Sequence, residues 1–279
     1  MNDLHNPFLA LNAKKKVLLA AHRGTGGGNI PCNSIPAFQI ALNHGADIIE
    51  LDVENSSDGK LYIQHPGMEL VHLRFRDSIR NYPSEFVEQL HKSNVEWGST
   101  QLTLTRLEEA LDFLNGKCIV NIDKFWGNPE RIAKLVRERH MEDQVLIKTS
   151  LKEPEIDDVE KYAPDLPFMP MVKEEDPCLE LFAHRNVRYV GSEAIFKTED
   201  SPMAQPEYIE KMHAAGKTVW VNAIVYNYRT VLGAGHNDDV SIVGEPDKGW
   251  GWLADRGYDI IQTDWIMACH QYLQGKGLR

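Results

Sequence analysis

The chain has 279 residues, 42% of them apolar and 25% charged, with a formal net charge of −11. That length is enough for one large domain or two small ones with a sizeable core. The acidic balance argues against nucleic acid as a partner, because neutralising phosphates needs basic patches and the one lysine run, Lys14-Lys15-Lys16, lies near a terminus.

The first segment, MNDLHNPFLALNAKKK, places a short apolar part before its basic residues, the reverse of a signal peptide. VLLAA (17–21) reads as a strand ending at His22 and Arg23. SIPAFQIALNH (34–44) reads as a helix with Ser34 as N-cap and Gly45 as the stop. DIIELDV (47–53) and LYIQH (61–65) are strands. Thr105 is expected to cap the helix RLEEALDFL, with Gly116 after it. CIVNID (118–123) is a strand, PERIAKLVRER (129–139) a helix and QVLIK (144–148) a strand. PFMPM (167–171), VRYVG (187–191), TVWVN (218–222) and DIIQT (259–263) continue the strands, mostly with helical segments between them. No run of about 18 apolar residues occurs, so no membrane span is expected. The cysteines Cys32, Cys118, Cys178 and Cys269 form no C-x-x-C pair, which argues against a zinc knuckle or a disulfide scaffold and fits a cytoplasmic protein with reduced thiols.

Strand–helix alternation at this length means a closed (β/α)8 barrel or an open doubly wound sheet. No G-x-G-x-x-G opens a helix, and polar residues recur at strand ends (His22, Asp123-Lys124, Lys148, Asn222 and Asp264), which favours one TIM-type barrel over residues 1–279. Stretches near 66–102 and 223–247 read as irregular insertions or lids. Only ENSSDGK separates DIIELDV from LYIQH, far too short for a parallel crossover, so these two strands should pair as an antiparallel hairpin. Such a hairpin would set Asp52 opposite residue 64 or 65 and carry His65 to the acidic strand.

Strand alternation puts Glu50 and Asp52 on one face. Two inward carboxylates repel unless a cation joins them or a basic side chain pairs with one, and oxygen-only ligands suit Mg²⁺ or Ca²⁺. Asp123 at the end of CIVNID adds a third acid. His22 and His65 suit general acid and base work, or are hydrogen-bonded structural residues. Arg23 offers a planar fork for phosphate. Gly26-Gly27-Gly28 would let backbone N–H groups approach an anion, or is merely a flexible loop.

AHRG (21–24), PCNSIPAF (31–38), GADIIELDV (45–53), SDGKLYIQH (57–65), LTRLEEALDFL (104–114), VNIDK (120–124), VWVN (219–222) and GYDIIQTD (257–264) follow in order along the chain. Together they resemble the glycerophosphodiester phosphodiesterase family over about residues 17–270. The resemblance implies a TIM-barrel fold, a divalent metal (Mg²⁺ or Ca²⁺, with Mn²⁺ as a further option) and hydrolysis of a small-molecule phosphodiester to an alcohol and a phosphomonoester. It implies catalytic His22 and His65, metal ligands Glu50, Asp52 and Asp123, and substrate contacts from Arg23, Lys124 and Trp220. The sequence departs from the family pattern at three places. Cys32 stands where P-E-N-T has its acid, Pro66 follows the second histidine where an aspartate is usual, and Asp123 replaces a glutamate. A lyase that stops at a cyclic phosphate and a non-catalytic phosphodiester-binding protein remain as alternatives. Cys32 is either a reactive thiol or a small space-filler. His236 with Asp238-Asp239 is either a second metal site or a polar lid, and Trp220, Trp250 and Trp252 either line a wall or pack the barrel.

Overall fold

The computed structural model describes residues 6–279, so the first five residues of the N-terminal segment lie outside it. Eight parallel strands form the centre: β1 (Leu18–Ala21), β2 (Ile48–Asn55), β3 (Ile119–Asp123), β4 (Val145–Ile147), β5 in two pieces (Pro167–Phe168 and Met171–Lys173), β6 in two pieces (Arg188–Tyr189 and Gly191–Ile195), β7 (Thr218–Asn222) and β8 (Ile260–Thr263). Each pairs with the next, and β8 pairs with β1 from Leu18↔Ile260 to Ala21↔Thr263, which closes the ring. The break in β5 falls at Pro170, which has no N–H for the ladder. Gly191 in β6 is fixed by sterics, since a Cβ there would lie 1.9 Å from the Thr218 carbonyl oxygen.

The two faces of each strand carry different chemistry. Outward residues such as Leu19, Ile49, Leu51, Val120 and Ile261 pack under the surrounding helices. Inward residues at the strand starts (Leu18, Ile48, Ile119, Leu146, Trp220 and Ile260) form a dry floor, and Phe8 of the helix Pro7–Asn12 plugs it from below. Asn6 caps that helix and donates from Nδ2 to the Val190 carbonyl at 2.9 Å and to Thr218 Oγ1 at 3.0 Å. Above the floor the same alternation turns polar, with Glu50, Asp52 and Asn121 buried there.

The expected hairpin forms. Leu61–Ile63 pairs antiparallel with β2, Val53 opposite Ile63, and Gln64 N–H donates to the Asp52 carbonyl at 3.1 Å. The stretch after it is more ordered than its sequence suggested. It holds the helices Glu69–Leu73 and Ser84–Val87 and a hairpin of His91–Ser93 with Ser99–Thr103. Tyr62, Leu73, Ile79, Val87 and Leu104 give it a small apolar cluster of its own.

Ser34 caps its helix as expected, accepting from Ala37 N–H at 3.4 Å. Thr105 does not cap the next one: that helix spans Leu107–Leu114, Arg106 occupies the cap, and Glu109 Oε2 accepts the Arg106 N–H at 3.4 Å. A glutamate three residues after the cap satisfies an orphan N–H and so sets the boundary one residue later. Among the described residues no helix is long and apolar enough to cross a membrane.

Candidate active site

Ile48 lies in the floor, so Glu50 and Asp52, two and four residues on, project into the barrel above it. Ile119, Asn121 and Asp123 do the same on β3, and the register sets Glu50 beside Asn121 and Asp52 beside Asp123. One carboxylate oxygen from each of Glu50, Asp52 and Asp123 lies within 4.8 Å of the others. Glu50 and Asp52 are only 4% and 1% exposed, so their repulsion is poorly screened by water.

Cations and donors answer part of that repulsion. Arg23 N–H donates to Glu50 Oε2 at 2.9 Å, and Arg23 Nε stands at ion-pair distance, 3.0 Å, from Asp52 Oδ2. Asn33 Nδ2 donates to Asp52 Oδ2 at 3.0 Å. Lys124 pairs with Asp123 and reaches to 3.7 Å from Asp52 Oδ1. Burial alone would raise the Asp52 carboxyl; Arg23, Lys124, His65 and the Asn33 bond together bring it below the usual carboxylate range. Glu50 is pushed the other way, up to about 7, by burial and then by the Asp52 charge. Asp123 Oδ1 is buried without any partner. Three convergent carboxylates, one holding a proton to near neutrality and one with an orphaned oxygen, fit a hard divalent cation.

Two histidines stand at the same mouth in different states. His22 Nδ1 lies 2.9 Å from Asp264 Oδ1, and its ring meets Tyr226 edge-on at 5.7 Å. Burial works against the imidazolium, but the Asp264 bond and nearby Glu50 outweigh it, so His22 sits above its ordinary value. His65 Nδ1 donates to the Pro66 carbonyl at 2.8 Å, which leaves Nε2, 3.9 Å from Asp52 Oδ1, as the ring's lone pair. Burial, with Arg23 and Lys124 close by, lowers His65 despite the pull of Asp52.

Trp220 is fully buried in the barrel floor. Lys148 Nζ lies 3.2 Å above its ring and pairs with Glu193 at 2.7 Å, so the indole supports a buried ion pair beneath the mouth. Cys32 Sγ lies 3.8 Å from His72 Nε2, and burial pushes its thiol up, which keeps it protonated and weakly nucleophilic. The glycine run is a tight turn: Gly27 N–H donates to the Ile30 carbonyl at 2.9 Å and is not free for an anion. His236 stacks on Trp252 and bonds the Lys248 carbonyl and Glu199. Asp238 accepts from Trp250 Nε1, Thr263 Oγ1 and Asp264 N–H, so this loop braces the end of β8. Trp250 packs in the outer core. Asn33 and Asp264 were quoted in the motifs without a role. Asn33 immediately precedes the Ser34 cap and has a left-handed φ of 52°, the one local hint that its side chain is aimed.

A family model described as DUF4996, a domain of unknown function, matches residues 168–273. A glycerophosphodiester phosphodiesterase of Caldanaerobacter subterraneus subsp. tengcongensis is 30% identical over 160 residues, covering 54% of this chain and 65% of that relative. One from Bacillus altitudinis is 30% identical over 138 residues, 46% of this chain and 56% of the relative. The chain thus spans less than two thirds of the length of these curated relatives. A glycerophosphoryl diester phosphodiesterase of Parabacteroides distasonis superposes with a TM-score of 0.76 at 17% identity, over 96% of this chain and 92% of that one. An Oleispira antarctica phosphodiesterase in complex with the product sn-glycerol-3-phosphate gives 0.67 at 18% identity, over 92% and 96%. The fold is the TIM barrel of these proteins, and the chain is similar in sequence to glycerophosphodiester phosphodiesterases over about half its length.

Proposed function

We propose that the chain is a divalent-cation-dependent phosphodiesterase, carried by one barrel domain, that hydrolyses a glycerophosphodiester to an alcohol and a phosphomonoester resembling glycerol 3-phosphate. The observation that carries this reading is the meeting of Glu50, Asp52 and Asp123 within 4.8 Å at the C-terminal ends of the strands, where barrel enzymes place their chemistry. The curated relatives and the neighbour holding a glycerol phosphate support it.

Glu50, Asp52 and Asp123 would hold the cation, with Mg²⁺, Ca²⁺ and Mn²⁺ as the candidates. Bound there, it supplies Lewis-acid neutralisation of a phosphate oxygen. Arg23 and Lys124 direct their charges at the same volume and meet the remaining phosphate charge. His65, kept neutral with its Nδ1 proton on the Pro66 carbonyl, takes the proton of the attacking oxygen at Nε2. His22, kept protonated by Asp264, gives its Nε2 proton to the leaving alcohol. The Pro66 carbonyl, at the position where the family pattern usually has an aspartate, orients His65. The four cysteines are free thiols, which supports a reducing compartment such as the cytoplasm.

Release of phosphate ester from glycerophosphocholine and bis(p-nitrophenyl) phosphate, with each cation and with EDTA, tests the reading. Turnover that needs the cation and is lost in both His22→Ala and Asp52→Ala is expected. A folded protein that binds the diester without cleaving it would make this a binding protein instead.

A further inference from the structure

We propose that the cavity beside the catalytic mouth is a specificity subsite for a neutral polyhydroxyl ring, a cyclitol or a hexose, as the leaving alcohol of the diester. Thr25, His72, Ser93 and Trp265 are its specificity-determining residues. The inference rests on the phosphodiesterase reading of the adjoining site and names the head group which that site releases.

The cavity has a volume of about 790 Å³, within the range of small-molecule sites, and His22 and Asp264 belong to its wall. In the proposed mechanism His22 hands its proton to the leaving alcohol, so that alcohol, not the retained glycerol phosphate, faces this space. When the bond from phosphorus to the ring oxygen breaks, that oxygen leaves with the His22 proton as a free polyol. The oxygen of the attacking water stays on phosphorus.

Three polar atoms of the wall residues lack a partner. Thr25 Oγ1, His72 Nδ1 and Ser93 Oγ are buried without a hydrogen bond, and Ser93 is only 6% exposed. They come from three separate segments: the turn after β1, the inserted helix Glu69–Leu73 and the inserted strand His91–Ser93. Buried polar groups are ordinarily bonded, and a bond left unmade is costly, so their convergence on one cavity marks a place for a ligand's own hydroxyls. Burial, with Lys92 nearby, takes His72 down to about 3, so it is a neutral ring at ordinary pH. Its Nε2 lies 3.8 Å from Sγ of Cys32, a thiol that burial keeps protonated, so the S–H is the donor of that pair and the ring proton sits on Nδ1. The wall thus offers one obligate donor and two hydroxyls able to donate or accept, a set that the hydroxyls of a polyol match.

The rest of the wall suits the carbon face of a ring. Trp265, 49% exposed and directly before the last helix, offers its indole to the cavity, and Ile30, Val71 and Met267 add apolar surface. A sugar or cyclitol has C–H faces that lie against an aromatic ring and hydroxyls around its rim. Ammonium head groups fit less well. The single carboxylate of the wall is Asp264, already bonded to His22. Choline has no hydrogen to give Thr25 or Ser93, and the ammonium of choline or ethanolamine cannot accept from His72 Nδ1. A hydrocarbon would leave all three atoms unpaired.

The test is competition on the full chain in Mg²⁺ buffer, followed by phosphorus NMR. Glycerophosphocholine is mixed with glycerophosphoinositol in one arm and with the glycerol phosphate diester of glucose O6 in the other, and each mixture gives a ratio of kcat/KM. At least one polyhydroxyl diester should be preferred by about tenfold or more, since a site built for hydroxyls rejects an alcohol that lacks them. Ser93→Ala and Thr25→Val should each lower that ratio roughly fivefold, the loss of one hydrogen bond. Trp265→Ala should lower it too. The ratio compares two substrates in one sample, so a loss of folded protein does not move it. In parallel, saturation-transfer NMR with free myo-inositol, glucose and choline should show transfer to the protons of the preferred polyol, lost in Ser93→Ala and Trp265→Ala. Ratios at or below one in both arms, or a ratio unchanged in all three variants, overturn the inference, and the reading of the site stands because glycerophosphocholine is cleaved. If no diester is cleaved but a polyol shows transfer that both variants abolish, the subsite stands and the phosphodiesterase reading fails. No cleavage and no transfer overturns both.

Discussion

Arg23 and Lys124 adopt left-handed backbone, with φ of 59° and 60°, directly after β1 and β3. Such conformations cost of order 1–3 kcal/mol for residues with a Cβ and persist where the surroundings impose them. Here the turn lets one residue serve twice: the Arg23 N–H holds Glu50 while its guanidinium faces Asp52. In the proposed mechanism the two histidines divide their roles by their partners, and this gives a pH prediction. Activity should fall at acid pH as His65, lowered by burial, takes up a proton, and at alkaline pH as His22 loses one. Asp264→Asn removes a bond that raises His22, so the alkaline limb of kcat/KM should move to lower pH while the acid limb stays. A profile that moves on the acid side, or not at all, contradicts the assignment. At the carboxylate cluster, Asp52→Asn should lower kcat/KM by about 10²–10³-fold with the fold retained, a magnitude common for loss of one electrostatic group in a site. Asp123→Glu should keep most activity. The acids were legible because strand alternation puts residues two apart on one face. The Asp264 partnership was not, since it joins groups 242 positions apart and no local pattern encodes it.

At the scale of elements, apolar runs marked the barrel strands because a strand buried on both faces needs them. The short hairpin connection revealed itself through length alone. The insertion was harder to read: its helices and strands have three to five residues, too few for a period to show. The N-terminal helix was also missed as structure, although it closes the barrel floor. Phe8 is fully buried there among Leu18, Ile48 and Trp220. Phe8→Ala should lower unfolding free energy by about 3–5 kcal/mol in a denaturant titration, the usual loss for deleting a core aromatic. A change under 1 kcal/mol would mean that the helix is not part of the folded core.

For the molecule as a whole, the net charge of −11 hides a site in which carboxylates and cations are tightly interleaved. Its balance links stability to pH. Glu50 is raised from 4.5 to about 7 in the cation-free protein, so its protonation stabilises the fold below pH 4.5, and that contribution is lost as pH rises through 7. A bound divalent cation favours the ionised carboxylate instead. The rise in Tm on adding Mg²⁺ or Ca²⁺ should therefore be larger at pH 8 than at pH 6, and Glu50→Gln should remove most of that difference. The most direct test of the account is phosphorus NMR of glycerophosphocholine incubated with the protein and a divalent cation. The account predicts a phosphomonoester that accumulates with the cation, vanishes with EDTA and is absent in Asp52→Asn. A cyclic phosphate as the final product, or hydrolysis indifferent to both EDTA and Asp52→Asn, would contradict it.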